Sequence, residues 1–193
     1  AQSGEILAVQ GPSGSGKSTL LSCLAGLDEP DGGYVVIMGN RITRKSEAER
    51  ASLRARMIGI MLQAGNLFDH LSVEDNIRLQ LHLAEKIKVR ERVDELMQLV
   101  GLEHVRHAIP SQLSGGENAR AGLAVAISAR PKVLLADEPT GEVDSETEQR
   151  ILCLLDVFRR DGGAVVMVTH SNAAAACADR VIELLDGRVA NEN

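Results

Sequence analysis

Aromatic residues are almost missing from this sequence: two Phe, one Tyr and no Trp among 193 residues. The core must therefore come from Leu, Ile, Val, Ala and Met, and 44% hydrophobic residues is enough for one domain with room for a small subdomain. Positive charge is not in excess either, and a net charge of −6 leaves no footprint for a nucleic-acid partner. Long apolar runs are lacking: Ala119 to Ile127 and Ala164 to Val168 fall short of the roughly 20 residues of a membrane-spanning helix. Any membrane contact is thus expected to run through another chain. No charged-then-apolar leader opens the sequence. Cys23, Cys153 and Cys177 form an odd, widely spaced set without C-x-x-C, expected as buried thiols in a reducing compartment rather than disulfides or metal ligands.

What is present is a phosphate grip. Gly11-Pro12-Ser13-Gly14-Ser15-Gly16-Lys17-Ser18-Thr19 fits G-x-x-x-x-G-K-[ST] between an apolar stretch, Ile6 to Val9, and a helix-like one, Leu20 to Ala25. Glycines allow the tight turn that aims successive N–H groups and a helix start at phosphate oxygens, and Lys17 adds a full charge. The expected ligand is a nucleoside triphosphate.

Short apolar runs alternate with helical patterns, which predicts an α/β fold with a mostly parallel sheet. The expected strands are Glu5 to Gln10, Tyr34 to Met38, Met57 to Leu62, Val133 to Ala136, Ala164 to Thr169, and the hairpin Val181 to Leu185 with Arg188 to Ala190 across Asp186-Gly187. Between Gln63 and Arg130 no strand is expected; Val89, Val93, Leu96, Met97 and Val100 recur at helical spacing and Gly101 stops that helix. Ser114-x-x-Glu117 and Ser145-x-x-Glu148 both fit the capping box that opens a helix.

The run from Val133 to Pro139 is an apolar strand ending in Asp137-Glu138. Ligands of a parallel sheet gather at the carboxyl ends of its strands, so the acid pair is expected to face the P-loop. Asp137 and the Ser18 hydroxyl then suit Mg²⁺, a hard cation that also takes triphosphate oxygens, and Glu138 suits a general base for water. A solvated strand end before a proline turn is the competing reading.

Leu113-Ser114-Gly115-Gly116-Glu117, followed by a helix and then the acid pair, resembles the signature of the ATP-binding cassette (ABC) ATPases, LSGG followed by Gln or Glu. The order agrees as well: P-loop at 11–19, Gln63 after a strand, signature at 113–117, Ala136-Asp137-Glu138-Pro139-Thr140, Asp144, and Val168-Thr169-His170. The resemblance spans about Gly4 to Arg188. It implies a P-loop NTPase core of RecA-like type at 1–63 and 131–193 with an α-helical subdomain at 64–130, together one ABC ATPase domain over 1–193. It further implies an ATP-hydrolysing dimer, each ATP held between Lys17 of one copy and Ser114 to Gly116 of the other, with Asp144 crossing the interface. Gln63 would sense Mg²⁺ and water, and His170 would contact the γ-phosphate. Alone, Gln63 reads most often as a surface amide, and His170 equally as a helix cap or packed imidazole. His70, His82, His104 and His107 match nothing in the pattern and are expected to be ordinary surface residues.

The chain departs from that pattern in several places. No aromatic precedes Gly11 to stack on adenine, so the N-terminal antiparallel strands are expected to be truncated, as the opening Ala also suggests. Glu117 replaces the commoner Gln, Glu142-Val143-Asp144 replaces Asn-Leu-Asp, and Gly122 predicts a softer signature helix, since Gly costs about 0.5–1 kcal/mol against Ala.

The stretches from Leu24 to Gly33 and from Gln63 to Ile77 are most similar to the branch serving lipoprotein release, macrolide efflux and cell-division hydrolase control, with amino-acid importers next. That branch implies a transmembrane permease partner and a place on the inner face of the cell membrane. Leu67 and Phe68 are open to two readings, a docking point for the permease or core packing. A soluble DNA-repair or chromosome ATPase would need long coiled coils between P-loop and signature, which are lacking. A GTPase would need N-K-x-D, which does not occur.

Overall fold

Unbroken apolar runs bury both faces of a sheet, and here they build its centre. The computed structural model describes residues 1–86 and 88–192, the last by its backbone alone. In chain order the elements are β1 (Ile6–Gln10), α1 (Lys17–Leu24), β2 (Val36–Ile37), β3 (Asn40–Arg41), α2 (Glu47–Met57), β4 (Ile58–Met61), α3 (Val73–Leu83) and α4 (Val89–Val100). They continue with α5 (Gly115–Ser128), β5 (Val133–Asp137), α6 (Ser145–Arg160), β6 (Ala164–Val168), α7 (Asn172–Ala176), β7 (Arg180–Leu185) and β8 (Arg188–Glu192). Six strands form one sheet in the order β4-β5-β6-β1-β7-β8, parallel except for the closing hairpin β7–β8.

The period of two along each strand divides the core. Ile6, Ala8, Leu134, Ala136, Val165 and Met167 face α3 to α6, while Leu7, Val9, Leu135, Val166 and Val168 face Leu21 of α1, Ala25 just after it and the buried Ile42. α5 packs on α3 and α4 and also on β4, so apolar contact runs without a break from the sheet into the helices. The helix starts follow their caps: Ser72 receives Asp75 N, and Gly101 ends α4 in the left-handed conformation at φ 66°.

Three sequence expectations are corrected, and one helix had no expectation at all. Tyr34 to Met38 is not a strand of the sheet: Val36–Ile37 alone forms a strand there, paired with β3 in a separate ribbon. Met38 and Gly39 both take positive φ, 49° and 77°, the two-residue turn that folds a hairpin back. The helix α2 went unread although Ser46 and Glu49 form a full capping box. The box expected at Ser145 does not form, because Asp144 caps α6 instead, accepting Glu146 N and Thr147 N at 2.9 Å each. Glu148 turns away to accept Thr140 Oγ1 and Ser171 Oγ. The thiols are not buried: Cys153 and Cys177 are exposed and Cys23 is partly so.

Candidate functional site

The site lies where β1 ends and the strand order reverses direction, with β6 and β5 on one side and β7 on the other. Gly11 leaves β1 at φ 152°, and a Cβ there would come within 2.1 Å of Leu184 O on β7. Only glycine passes. Gly187 N on the β7–β8 turn donates to Ser15 O at 3.1 Å, so the hairpin braces the loop from behind. Gly16 (φ 95°) caps α1 without a side chain, and no acid sits in the first turn, which leaves that helix start open to an anion.

Lys17 is buried, and its Nζ donates to Gly11 O at 2.9 Å and Pro12 O at 2.8 Å, so the loop's own carbonyls hold the ammonium in place. α1 crosses from β1 over to β5, which brings Ser18 Oγ to Asp137 Oδ2 at 3.0 Å. Glu138 follows at φ 48°, its N–H donating to Val168 O at 2.9 Å. Its Oε2 accepts His170 N at 3.1 Å; its Oε1 is buried without a hydrogen bond, with His170 Nε2 3.4 Å away. A buried carboxylate oxygen left without a donor needs water or ligand.

These groups share one cleft of about 660 Å³, lined by Ser13, Gly14, Gly16, Lys17, Ser18, Thr19, Gln63, Asp137, Glu138 and His170, with Thr140 and Gly141 on its wall. Gly11, Pro12 and Ser15 of the loop do not line the cleft. Gln63 Nε2 donates to Glu142 Oε1 at 3.2 Å. A carboxylate only accepts, so the Gln63 carbonyl oxygen is the atom left for a ligand. Ser114, Gly115, Gly116 and Asp144 do not line this cleft. Gly115 instead opens on a neighbouring cleft of about 160 Å³ beside Gln63, Glu138 and Glu142. Asp144 is engaged with α6 and with Thr147 Oγ1 at 2.8 Å; the Thr147 backbone bond is the main cause that holds its carboxyl below the usual range.

The signature forms the expected box: Ser114 N and Oγ donate to Glu117 Oε2 at 2.8 and 2.7 Å, and Glu117 N donates back to Ser114 Oγ at 3.3 Å. Those bonds, the backbone one first, pull the Glu117 carboxyl down to about 2. Sequence reasoning missed its second partner, His104, whose Nε2 lies 2.9 Å from Glu117 Oε1. His104 is at the surface as expected, its side chain 64% exposed, but it is paired there. Leu67 and Phe68 part company, with Leu67 in the core and Phe68 65% exposed. Asn76 pins their loop, accepting Phe68 N at 2.8 Å and donating to Leu71 O and Ser72 O.

Gly122 lies within the unbroken helix α5, facing Asn66. A Cβ there would meet Asn66 Cβ at 2.8 Å, and Asn66 in turn clamps Leu62 through both its amide atoms, Leu62 N to Oδ1 at 2.7 Å and Nδ2 to Leu62 O at 2.6 Å. Gly122 is thus where α5 touches the Gln63 loop. Ala at 122 gains up to about 1 kcal/mol of helix propensity but overpacks at about 1–3 kcal/mol, so Gly122→Ala should lower the melting temperature. A higher midpoint by circular dichroism would contradict this.

Among the described residues no group of three or more His, Cys, Asp or Glu could hold a metal by itself, and no helix is long and apolar enough to cross a membrane.

The family model described as ABC transporter matches residues 1–141. The macrolide export ATP-binding/permease protein MacB of Chlorobium luteolum is 41% identical over 191 residues, 98% of this chain and 29% of that protein. The methionine import ATP-binding protein MetN of Bordetella avium is 42% identical over 192 residues, 97% of this chain and 53% of its own length. The chain thus spans between about a third and a half of these relatives. Among solved structures, a dimeric post-hydrolysis state of the ATP-binding cassette MJ0796 with ADP and Pi superimposes with a TM-score of 0.93 at 35% identity, over all of this chain and 86% of that one. The chain belongs to the ABC transporter family, as one of its ATP-binding cassettes.

Proposed function

We propose that two copies of this chain close head to tail around two ATP, each bound by the P-loop of one copy and by Ser114, Gly115 and Gly116 of the other, and that closure drives a membrane permease. One observation supports this above all. The chain carries two anion-seeking helix starts, at Gly16 and at Ser114, and they open on different clefts. A triphosphate on Lys17 can use the signature only if a second copy supplies it. A solved relative that is a dimer with ADP and Pi is consistent with that arrangement.

Mg²⁺ suits the oxygens present: Ser18 Oγ and Asp137 Oδ2 are hard donors 3.0 Å apart, too few for a protein-only cage but right for a cation shared with phosphates. Bound there with the carbonyl oxygen of Gln63 nearby, it would neutralise charge on the triphosphate. The rest is done by side chains. Lys17 leaves Gly11 O and Pro12 O for the phosphates, Glu138 Oε1 accepts a proton from the attacking water, and His170, anchored to Glu138 through its backbone N–H, meets the γ-phosphate from the far side. Asp144, as the cap of α6, holds Thr147 against Gly116 and so shapes the surface that meets the partner copy.

Residues 64–130 serve as a helical subdomain on a core of 1–63 and 131–193, and Phe68, exposed on a loop pinned by Asn76, is the point offered to a permease at the inner face of the membrane. Relatives named for macrolide export favour an efflux or envelope machine; methionine-import relatives at 42% identity favour an importer as the second reading.

Because each site needs two chains, ATP turnover per chain should rise with protein concentration and level off as dimers fill. Phosphate release per chain that stays constant over about a hundred-fold dilution, with scattering showing monomers throughout, would refute the composite site.

A further inference from the structure

His104 reaches the signature helix from outside the P-loop cleft. It sits on the short helical turn Glu103–Val105, and its Nε2 lies 2.9 Å from Glu117 Oε1. The other oxygen of Glu117 takes both the Ser114 N–H and the Ser114 hydroxyl, at 2.8 and 2.7 Å. A hydroxyl has one proton to give. In this arrangement Ser114 gives it to Glu117, whereas contact with a phosphate oxygen requires that same proton to turn outward. A bare Glu117 carboxylate holds the proton more strongly than the amide oxygen of the commoner Gln would, and it adds a negative charge that repels the incoming phosphate, which the amide does not carry.

We propose that His104 is a positioning residue for the signature phosphate grip: as imidazolium it cancels the charge on Glu117 and frees the Ser114 hydroxyl for the ATP carried by the partner copy. This rests on the composite site described above. The neighbouring cations are committed elsewhere. Arg106 pairs with Asp94 at 2.6 Å and Glu74 at 3.6 Å, His107 faces Glu74 at 3.7 Å, and Arg120 is buried, donating Nε to Val100 O. Glu103 adjoins His104 in the chain, on its own turn. Among the described residues His104 is the cation paired with Glu117. As pH rises and the imidazole loses its proton, the pair passes from neutral to singly negative beside the phosphate. Grip should weaken.

The test is the ATP concentration at half-maximal dimerisation, by light scattering with Mg²⁺, for the full chain and three variants. From about pH 6 to about pH 8.5 the unaltered chain should need roughly three- to ten-fold more ATP. His104→Gln, neutral at every pH, should sit near the high-pH value throughout and lose most of that slope. Glu117→Gln should also flatten the profile, but at the tight end, and the double variant should match it. His170 is unchanged in all four proteins, so any contribution from it is common to them and drops out of the differences. Two results would overturn the proposal: a His104→Gln profile as steep as that of the unaltered chain, or an equal weakening by His104→Gln when Glu117 is already Gln, which would mark a merely structural contact. Should the unaltered chain dimerise with ATP but with no pH slope, the pairing alone fails; should it never dimerise, the composite site fails with it.

Discussion

Glu138→Gln should lower ATP turnover by about 10²–10⁴-fold, the usual reach of a positioned general base, while leaving ATP binding intact and accumulating a nucleotide-filled dimer. The two carboxylate oxygens have separate duties. Oε2 accepts His170 N at 3.1 Å and ties the end of β5 to the end of β6, and the Gln carbonyl can take over that bond. Oε1 is buried and without a hydrogen bond, and in Gln its place is taken by an NH₂ that donates instead of accepting. A water held there would keep a neighbour but lose its proton acceptor. The backbone at this position is strained, at φ 48°, which costs of order 1–3 kcal/mol and persists only where the surroundings enforce it. Here Glu138 N bonds Val168 O and Gly141 N bonds Glu138 O, and neither involves the side chain, so the substitution should leave the turn as it is. Phosphate release, nucleotide titration and light scattering together decide it. Turnover within a few-fold of the unaltered chain would remove Glu138 from the chemistry.

The legible parts of this molecule were those written in contiguous spacing. A P-loop needs its glycines, lysine and hydroxyl at fixed offsets, and the acid pair announces itself by ending an apolar run; both stand where the sequence puts them, with Ser18 on Asp137 across 119 positions. The signature box was legible for the same reason, since Ser114 and Glu117 are three apart. Its mate at Ser145 misled because Asp and Ser are equally good caps and stand side by side at 144 and 145; the Asp won, and Glu148 was drawn off by Thr140 and Ser171. Tyr34 to Met38 misled because β-forming side chains do not reveal that Met38 will join Gly39 at positive φ. What no spacing could show is contact between distant loops. Glu142 on Gln63, 79 positions away, His104 on Glu117 and Gly122 against Asn66 all depend on where the sheet sends its connections. The unusual Glu117, Gly122 and Glu142 were visible as departures from the family pattern, and each departure proved to be one half of a contact.

Ser114→Arg and Lys17→Ala should each cut ATP turnover at least about 10-fold alone, since a charged or charge-assisted phosphate contact is worth roughly 1.5–3 kcal/mol, and a mixture of the two chains should regain part of it. Lys17→Ala removes the ammonium that the P-loop holds through Gly11 O and Pro12 O, so that copy loses its own triphosphate but keeps an intact signature. Ser114→Arg puts a long cation at the positive start of α5 and deletes the cap, so that copy keeps its P-loop but cannot close on a partner's phosphate. A mixed dimer then holds one good pairing, the P-loop of the chain carrying Ser114→Arg with the signature of the chain carrying Lys17→Ala, and one pairing defective twice over. Loss of the cap alone destabilises by about 1 kcal/mol, and Ser114→Ala, which loses the cap without adding bulk or charge, isolates that share: it should dimerise with ATP more weakly than the unaltered chain and far better than the Ser114→Arg variant. Recovered turnover must then follow the fraction of mixed dimers, peaking at equal amounts of the two chains and staying below half of the unaltered rate, because only one site per pair is whole. If Ser114→Arg hydrolyses ATP normally by itself, as a monomer by scattering, one P-loop suffices and the second anion-seeking helix start has some other use.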